Sequence, residues 1–127
     1  MKVSDVMSES LVWCEPSATL KEAVHKMREN DVGSVLILNK DELVGIFTER
    51  DLVRAFDEGA RPEDPVGSFM TRDPITVNPD ESLEGALQKM LSFGIRHLPV
   101  VSSEGRVLGV VSLRDLVEAI MAEQTPL

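Results

Sequence analysis

Val44-Gly45-Ile46-Phe47-Thr48-Glu49-Arg50-Asp51-Leu52-Val53 decides the fold, because the chain writes it again as Leu108-Gly109-Val110-Val111-Ser112-Leu113-Arg114-Asp115-Leu116-Val117. Landmarks upstream recur in the same order: Met7 and Met70, Pro16 and Pro79, Leu20 and Leu83, Ala23 and Ala86, Met27 and Met90. One extra residue in the turn around Ser102-Ser103-Glu104-Gly105 accounts for the small change in spacing. The chain is therefore an internal duplication. Repeat one covers 1–59, a linker with Arg61-Pro62 and Asp64-Pro65 covers 60–65, and repeat two covers 66–127. A unit of about 60 residues buries only about 60% of its unfolded surface, so two copies sharing one core are expected.

Bulk properties narrow the class. With 43% apolar and 28% charged residues, the 127-residue chain has the composition of a folded globular domain. Runs such as Val35-Leu36-Ile37-Leu38 are too short to cross a bilayer. The first residues carry acids and no apolar stretch, so secretion is not expected. A single cysteine, Cys14, cannot form an internal disulfide and points to a reducing, cytoplasmic setting. The net charge of −9, with no long Lys/Arg cluster, argues against nucleic-acid binding, which needs cations to displace counterions from phosphates. A small phosphorylated ligand stays compatible, since local donors decide there.

Each repeat reads as β-α-β-β-α, an α+β arrangement. In repeat one, Ser4 to Met7 is a capped turn and Leu11 to Cys14 a short strand with Trp13 and Cys14 buried. Leu20, Ala23, Val24 and Met27 then form one apolar helical stripe. Thr19 with Glu22 makes a capping box for that helix. Val35 to Leu38 and Leu43 to Phe47 are antiparallel strands across a tight turn. A helix from Asp51 to Glu58 follows, with Leu52, Val53 and Phe56 inward and Gly59 closing it. Repeat two gives a turn over 66–70, strands at Ile75 to Val77, His97 to Val101 and Arg106 to Val111, and helices from Ser82 to Phe93 and Leu113 to about Glu123. Two such units can lay their three-stranded sheets against each other around a pseudo-twofold axis.

The element able to carry chemistry is Gly-x-x-(Thr/Ser)-x-Arg-Asp at the strand-to-helix junction: Gly45, Thr48, Arg50, Asp51 and Gly109, Ser112, Arg114, Asp115. Hydroxyl and carboxylate three residues apart form a capping box that satisfies open helix N–H groups. A carboxylate in that position is also placed to accept hydrogen bonds from a vicinal diol such as a ribose. The two roles are compatible. Catalysis is not expected: the chain has no Walker-type glycine-rich loop, no metal-ligand spacing of Cys and His, and no nucleophile–base pair. Met27 and Met90 read as core, and neither His25 nor His97 is placed by sequence beside Cys14.

These residues resemble a tandem pair of CBS domains, the regulatory module first named in cystathionine β-synthase. The module also occurs in IMP dehydrogenase, AMP-activated protein kinase and certain channels. The similarity is carried by Val6-Met7 and Phe69-Met70, Pro74-Ile75-Thr76-Val77, Gly94-Ile95-Arg96-His97-Leu98-Pro99-Val100-Val101, and the two Asp-bearing stretches. It extends over about residues 1 to 122. The resemblance implies a non-catalytic regulator with no obligatory cofactor, binding adenosine-type ligands (AMP, ADP, ATP or S-adenosylmethionine) in two clefts between the repeats. It assigns Thr48, Arg50 and Asp51 to one cleft with Ile75, Ile95, Arg96 and His97. To the other it assigns Ser112, Arg114 and Asp115 with Val12, Val32, Gly33 and Ser34. In each, the Asp would take the ribose and the strand residues the base, while Arg50, Arg114, Arg96 and His97 are the candidates for phosphate contact.

The copies differ where ligand chemistry would be decided. Arg96-His97 stands where repeat one has Gly33-Ser34, and Thr76-Val77 where it has Trp13-Cys14, so unequal clefts are expected. Apolar residues beyond one core stripe, namely Leu113, Leu116, Val117, Ile120 and Met121 with Leu91 and Phe93, suggest a homodimer. Any effector protein would act in trans. A ligand-free interaction scaffold is the alternative function.

Overall fold

In the computed structural model, which describes residues 1–124, the matching hydroxyls of the two repeats start matching helices. Thr19 Oγ1 accepts from Glu22 N and Ser82 Oγ from Gly85 N, both at 3.0 Å. Helix α1 (Leu20–Asn30) runs from the first cap, and the helix over Leu83–Phe93 from the second. Each satisfies a helix N–H that would otherwise lack an intrahelical acceptor. Leu20, Ala23 and Met27 are buried on the one helix and Leu83, Ala86 and Met90 on the other, as one apolar stripe requires. Asp31 (φ 53°) and Gly94 (φ 65°) end these helices in the left-handed conformation.

The chain divides into two compact units, Val12–Pro74 and Met1–Leu11 together with the chain from Ile75 onward. In the first, β1 (Trp13–Cys14), β2 (Ser34–Asn39), β3 (Glu42–Thr48) and β4 (Thr71–Arg72) form a sheet in that order. β1 runs parallel to β2, and the other two pairings are antiparallel. Lys40 and Asp41, both at positive φ, make the two-residue turn between β2 and β3. Helix α2 (Glu49–Asp57) leaves directly from β3. In the second unit, α3 (Leu83–Phe93) precedes an antiparallel pair, β5 (His97–Val101) and β6 (Val107–Ser112), and α4 (Leu113–Glu123) follows. Single bridges flank that pair: Val77 parallel to Val100, and Ser8 antiparallel to Val110. The four-position order of the first sheet thus recurs in shortened form.

The repeats trade their opening segments. Thr71-Arg72, from the start of repeat two, pairs with Gly45 and Ile46 of repeat one. Ser8, from the start of repeat one, pairs with Val110 of repeat two. The sequence repeats over 1–59 and 66–127 are therefore not the units of packing, and the last three residues of the second lie outside the described ones. The repeated glycine makes the trade fit. A Cβ on Gly109 would sit 2.5 Å from the Ser8 carbonyl oxygen, and one on Gly45 would sit 2.9 Å from the Thr71 carbonyl oxygen and 2.5 Å from Met70 Sδ. Gly45→Ala and Gly109→Ala are each expected to lose about 1–3 kcal/mol through overpacking, read as a lower urea midpoint. Gly109 should suffer more, because backbone is the nearest obstacle.

Each unit has its own core. Cys14, Leu20, Ala23, Met27, Val35, Ile37, Phe47, Ala55 and Val66 make the first. Val3, Val77, Leu83, Ala86, Met90, Leu98, Val100, Val111 and Leu116 make the second.

Several expectations need correction. β1 is only two residues long, and strand alternation puts Cys14 in the core while Trp13 stays 41% exposed. The helix expected from Asp51 begins at Glu49, so Asp51 and Ala55 point inward and Leu52 is half-buried. Val53 and Phe56 fall on the outer face, Phe56 being 82% exposed. Of the strand expected at Ile75 to Val77, only Val77 pairs. Leu116 is fully buried, and Leu113 and Ile120 pack on the same core, so of the suggested dimer surface Val117, Met121, Leu91 and Phe93 stay exposed. No helix among the described residues is long and apolar enough to cross a membrane.

Candidate functional site

In both units one β-to-α junction holds the motif. β3 ends at Thr48, which pairs with Ser34 at the start of β2, and Glu49 N donates to the Gly33 carbonyl at 3.2 Å. β6 ends at Ser112, which pairs with His97 at the start of β5, and Leu113 N donates to the Arg96 carbonyl at 2.8 Å. Each helix N-terminus is thus pinned to the first residues of the neighbouring strand. This groups Thr48, Arg50 and Asp51 with Val12, Val32, Gly33 and Ser34 in one unit. It groups Ser112, Arg114 and Asp115 with Ile75, Ile95, Arg96 and His97 in the other. Each ligand set implied by the resemblance therefore draws on both units. Ser34 is buried and His97 half-buried, while Arg50, Arg96 and Arg114 are exposed.

Both motifs close as reciprocal capping boxes. Thr48 N donates to Asp51 Oδ2 at 2.9 Å while Asp51 N donates to Thr48 Oγ1 at 3.3 Å. Ser112 N donates to Asp115 Oδ2 at 2.9 Å while Asp115 N donates to Ser112 Oγ at 3.1 Å. A carboxylate in the first turn also gains from the partial positive charge of the helix N-terminus.

Beyond the cap, the sites part company. Asp51 is 3% exposed. Its Oδ1 accepts from Thr71 Oγ1 at 2.9 Å and lies 3.2 Å from Arg54 Nη1. Arg54 also donates through Nη2 to the Phe69 carbonyl at 2.7 Å, tying α2 to the traded segment. Asp115 is half-buried, and the residue at the Arg54 position is Glu118, whose Oε1 accepts from Arg114 Nε at 2.9 Å. Sequence reasoning missed Arg54 and Thr71. Arg54 stands three residues after Asp51, a spacing that allows contact on a helix. Thr71 carries no local signal, because its approach depends on the exchange of segments.

Cys14 offers no nucleophile. It is buried, and desolvation pushes its thiol above the ordinary range, with Lys26 opposing and Glu22 adding smaller effects. The unfolded thiol, near pKa about 8.5, then ionises before the native one. The native state holds more protons above that pH, so Cys14's contribution to stability is whole below it and is lost as pH rises. A Cys14→Ala variant should show a flatter fall in urea midpoint between pH 8 and 10 than the parent chain. Meanwhile His25 is occupied with Glu29, Nε2 to Oε2 being 2.9 Å.

With this geometry in view, comparison with known proteins gives one answer. The family model described as the CBS domain matches twice, over residues 3–58 and 66–122. An uncharacterised 17.7 kDa protein of Acidianus ambivalens is 37% identical over 125 residues, covering 98% of this chain and 76% of that protein. Other relatives are longer: the chain spans 62% of one from Methanopyrus kandleri and 42% of one from Methanocaldococcus jannaschii. The CBS domain protein PAE2072 from Pyrobaculum aerophilum, solved in complex with AMP, is similar in structure with a TM-score of 0.88 and 30% identity, over 97% of each chain. The CBS domain pair of protein MJ0100, solved with 5-methylthioadenosine and S-adenosyl-L-methionine, matches with a TM-score of 0.90 and 25% identity over 98% of each chain. The two copies of the Asp-bearing junction are thus the repeated elements of two CBS domains, and the chain belongs to the CBS domain family.

Proposed function

We propose that this chain is a cytoplasmic, non-catalytic regulatory module that binds an adenosine-containing ligand, whether AMP, ADP, ATP or S-adenosylmethionine. One observation supports this most: a first-turn carboxylate, Asp115, is half-buried on its cap, where a carboxylate with lone pairs to spare could accept from a sugar diol. Relatives of the same fold have been solved with AMP and with S-adenosyl-L-methionine. Thr48, Arg50, Asp51, Ile75, Ile95, Arg96 and His97 form one candidate ligand set. Val12, Val32, Gly33, Ser34, Ser112, Arg114 and Asp115 form the other. Apolar strand side chains would shelter the purine, and the arginines would meet phosphate where the ligand carries it. Regulation then follows from the ligand's differential affinity for two arrangements of the chain.

A thermal-shift panel tests this. At a ligand concentration about a hundredfold above Kd, binding stabilises by about 2.7 kcal/mol, which raises Tm by several degrees. Adenosine ligands should do so and guanosine ligands should not. No shift with any of the four adenosine ligands, in a chain purified free of nucleotide, would remove the proposal. Exposed Val53 and Phe56 on α2, and Leu91 and Phe93 at the end of α3, favour self-association as a homodimer. Sedimentation should then give twice the 14.0 kDa chain mass.

A further inference from the structure

We infer that the two motif carboxylates do different work: Asp115 is the sugar acceptor, whereas Asp51 is latched by Arg54 and Thr71, so the chain carries one strong adenosine site. This rests on the adenosine reading above.

An ionised carboxylate has about four lone-pair directions. At Asp51 three are taken by hydrogen bonds and a cation stands against the carboxylate. Oδ2 receives Thr48 N at 2.9 Å and Thr48 Oγ1 at 3.3 Å. Oδ1 receives Thr71 Oγ1 at 2.9 Å and faces Arg54 Nη1 at 3.2 Å. The group is also nearly sealed from water. A ribose could be accepted there only by displacing a charge-assisted bond that already exists, so the exchange gains little.

Asp115 lacks the latch. Its Oδ2 receives Ser112 N, and among the described residues no donor reaches Oδ1. Two substitutions between the repeats account for this. Ser8 takes the place of Thr71 and pairs with Val110 through backbone alone, its side chain exposed. Glu118 takes the place of Arg54 and is a carboxylate engaged with Arg114. The open oxygen exists because both latch donors are missing from that repeat.

Basic side chains from the opposite repeat accompany the latched carboxylate and not the other one. The set assigned to Asp51 holds Arg96 and His97, whereas the set assigned to Asp115 holds Gly33 and Ser34. Affinity at the strong site should therefore depend on the sugar hydroxyls more than on phosphate.

Isothermal titration of the full chain with AMP, and separately with S-adenosylmethionine, tests it. One strong site per chain is expected. Asp115→Asn should weaken it roughly 10- to 100-fold, and 2′,3′-dideoxyadenosine should bind the parent chain more weakly than adenosine. The double variant Arg54→Met with Thr71→Val should add a second site, its folding checked by its melting curve. Two equal sites in the parent chain, or an Asp115→Asn titration matching the parent's, would overturn the inference while leaving adenosine binding intact. No binding of either probe would overturn both. The parent stoichiometry and Asp115→Asn decide the matter even if the double variant does not fold.

Discussion

Phe47→Ala is expected to lower stability by about 3–5 kcal/mol, the largest effect of any single change considered. Phe47 is fully buried in β3 and packs in the core with Leu20, Met27, Val35, Ile37 and Val66, contributed by one helix, a strand and the segment beyond the linker. Truncating the ring removes transfer free energy and leaves a cavity that neighbours from several elements cannot all close. Against a typical total of about 5–15 kcal/mol, the variant should sit at the edge of folding. The urea midpoint should fall while the slope m is unchanged. Val111 occupies the matching position in the second unit and is equally buried. Val111→Ala should cost less, about 1.5–3 kcal/mol, because a smaller side chain is removed. Equal losses at the two positions would show that residue volume does not set the cost.

Asp51→Ala should cost about 2–3 kcal/mol and Asp115→Ala about 1 kcal/mol. Both substitutions remove a capping box, which accounts for about 1 kcal/mol in each case. Only Asp51 also leaves partners behind: the Thr71 hydroxyl loses its acceptor and the Arg54 guanidinium its ion-pair partner. Hydrogen bonds to a charged group are worth about 1.5–3 kcal/mol, and Arg54, half open to water, recovers part of its share. Denaturation of the two variants beside Thr71→Val measures this. Thr71→Val should reproduce part of the Asp51→Ala loss, and the double variant should fall short of the sum because the residues share one network. If Asp51→Ala and Asp115→Ala lose the same amount, the extra bonds at Asp51 contribute nothing to stability.

Much of the architecture was legible because it rests on local rules. Leu20, Ala23 and Met27 recur at helical spacing, and Thr19 and Ser82 stand where a helix needs an acceptor. The capping boxes at Thr48 and Ser112 were likewise readable from a three-residue spacing. The failures came where a neighbour remote in sequence decides. Phe56 looks like core by composition, yet starting the helix two residues earlier rotates it outward and brings Asp51 in. Leu116 looked like surplus apolar surface, yet it lies at the centre of the second core.

Duplication, the β-α-β-β-α order, the family and both motif carboxylates could all be read from the residues in line. Spacing and hydrogen-bonding capacity within a few residues are enough for these. Only long-range packing set residues 1–11 against repeat two and 66–74 against repeat one, and closed Thr71 and Arg54 on Asp51 while nothing equivalent among the described residues closes on Asp115. Segment exchange is a competition between long-range pairings of nearly equal sequences. Its outcome depends on which strand edge and which glycine a segment meets, and no local pattern records that.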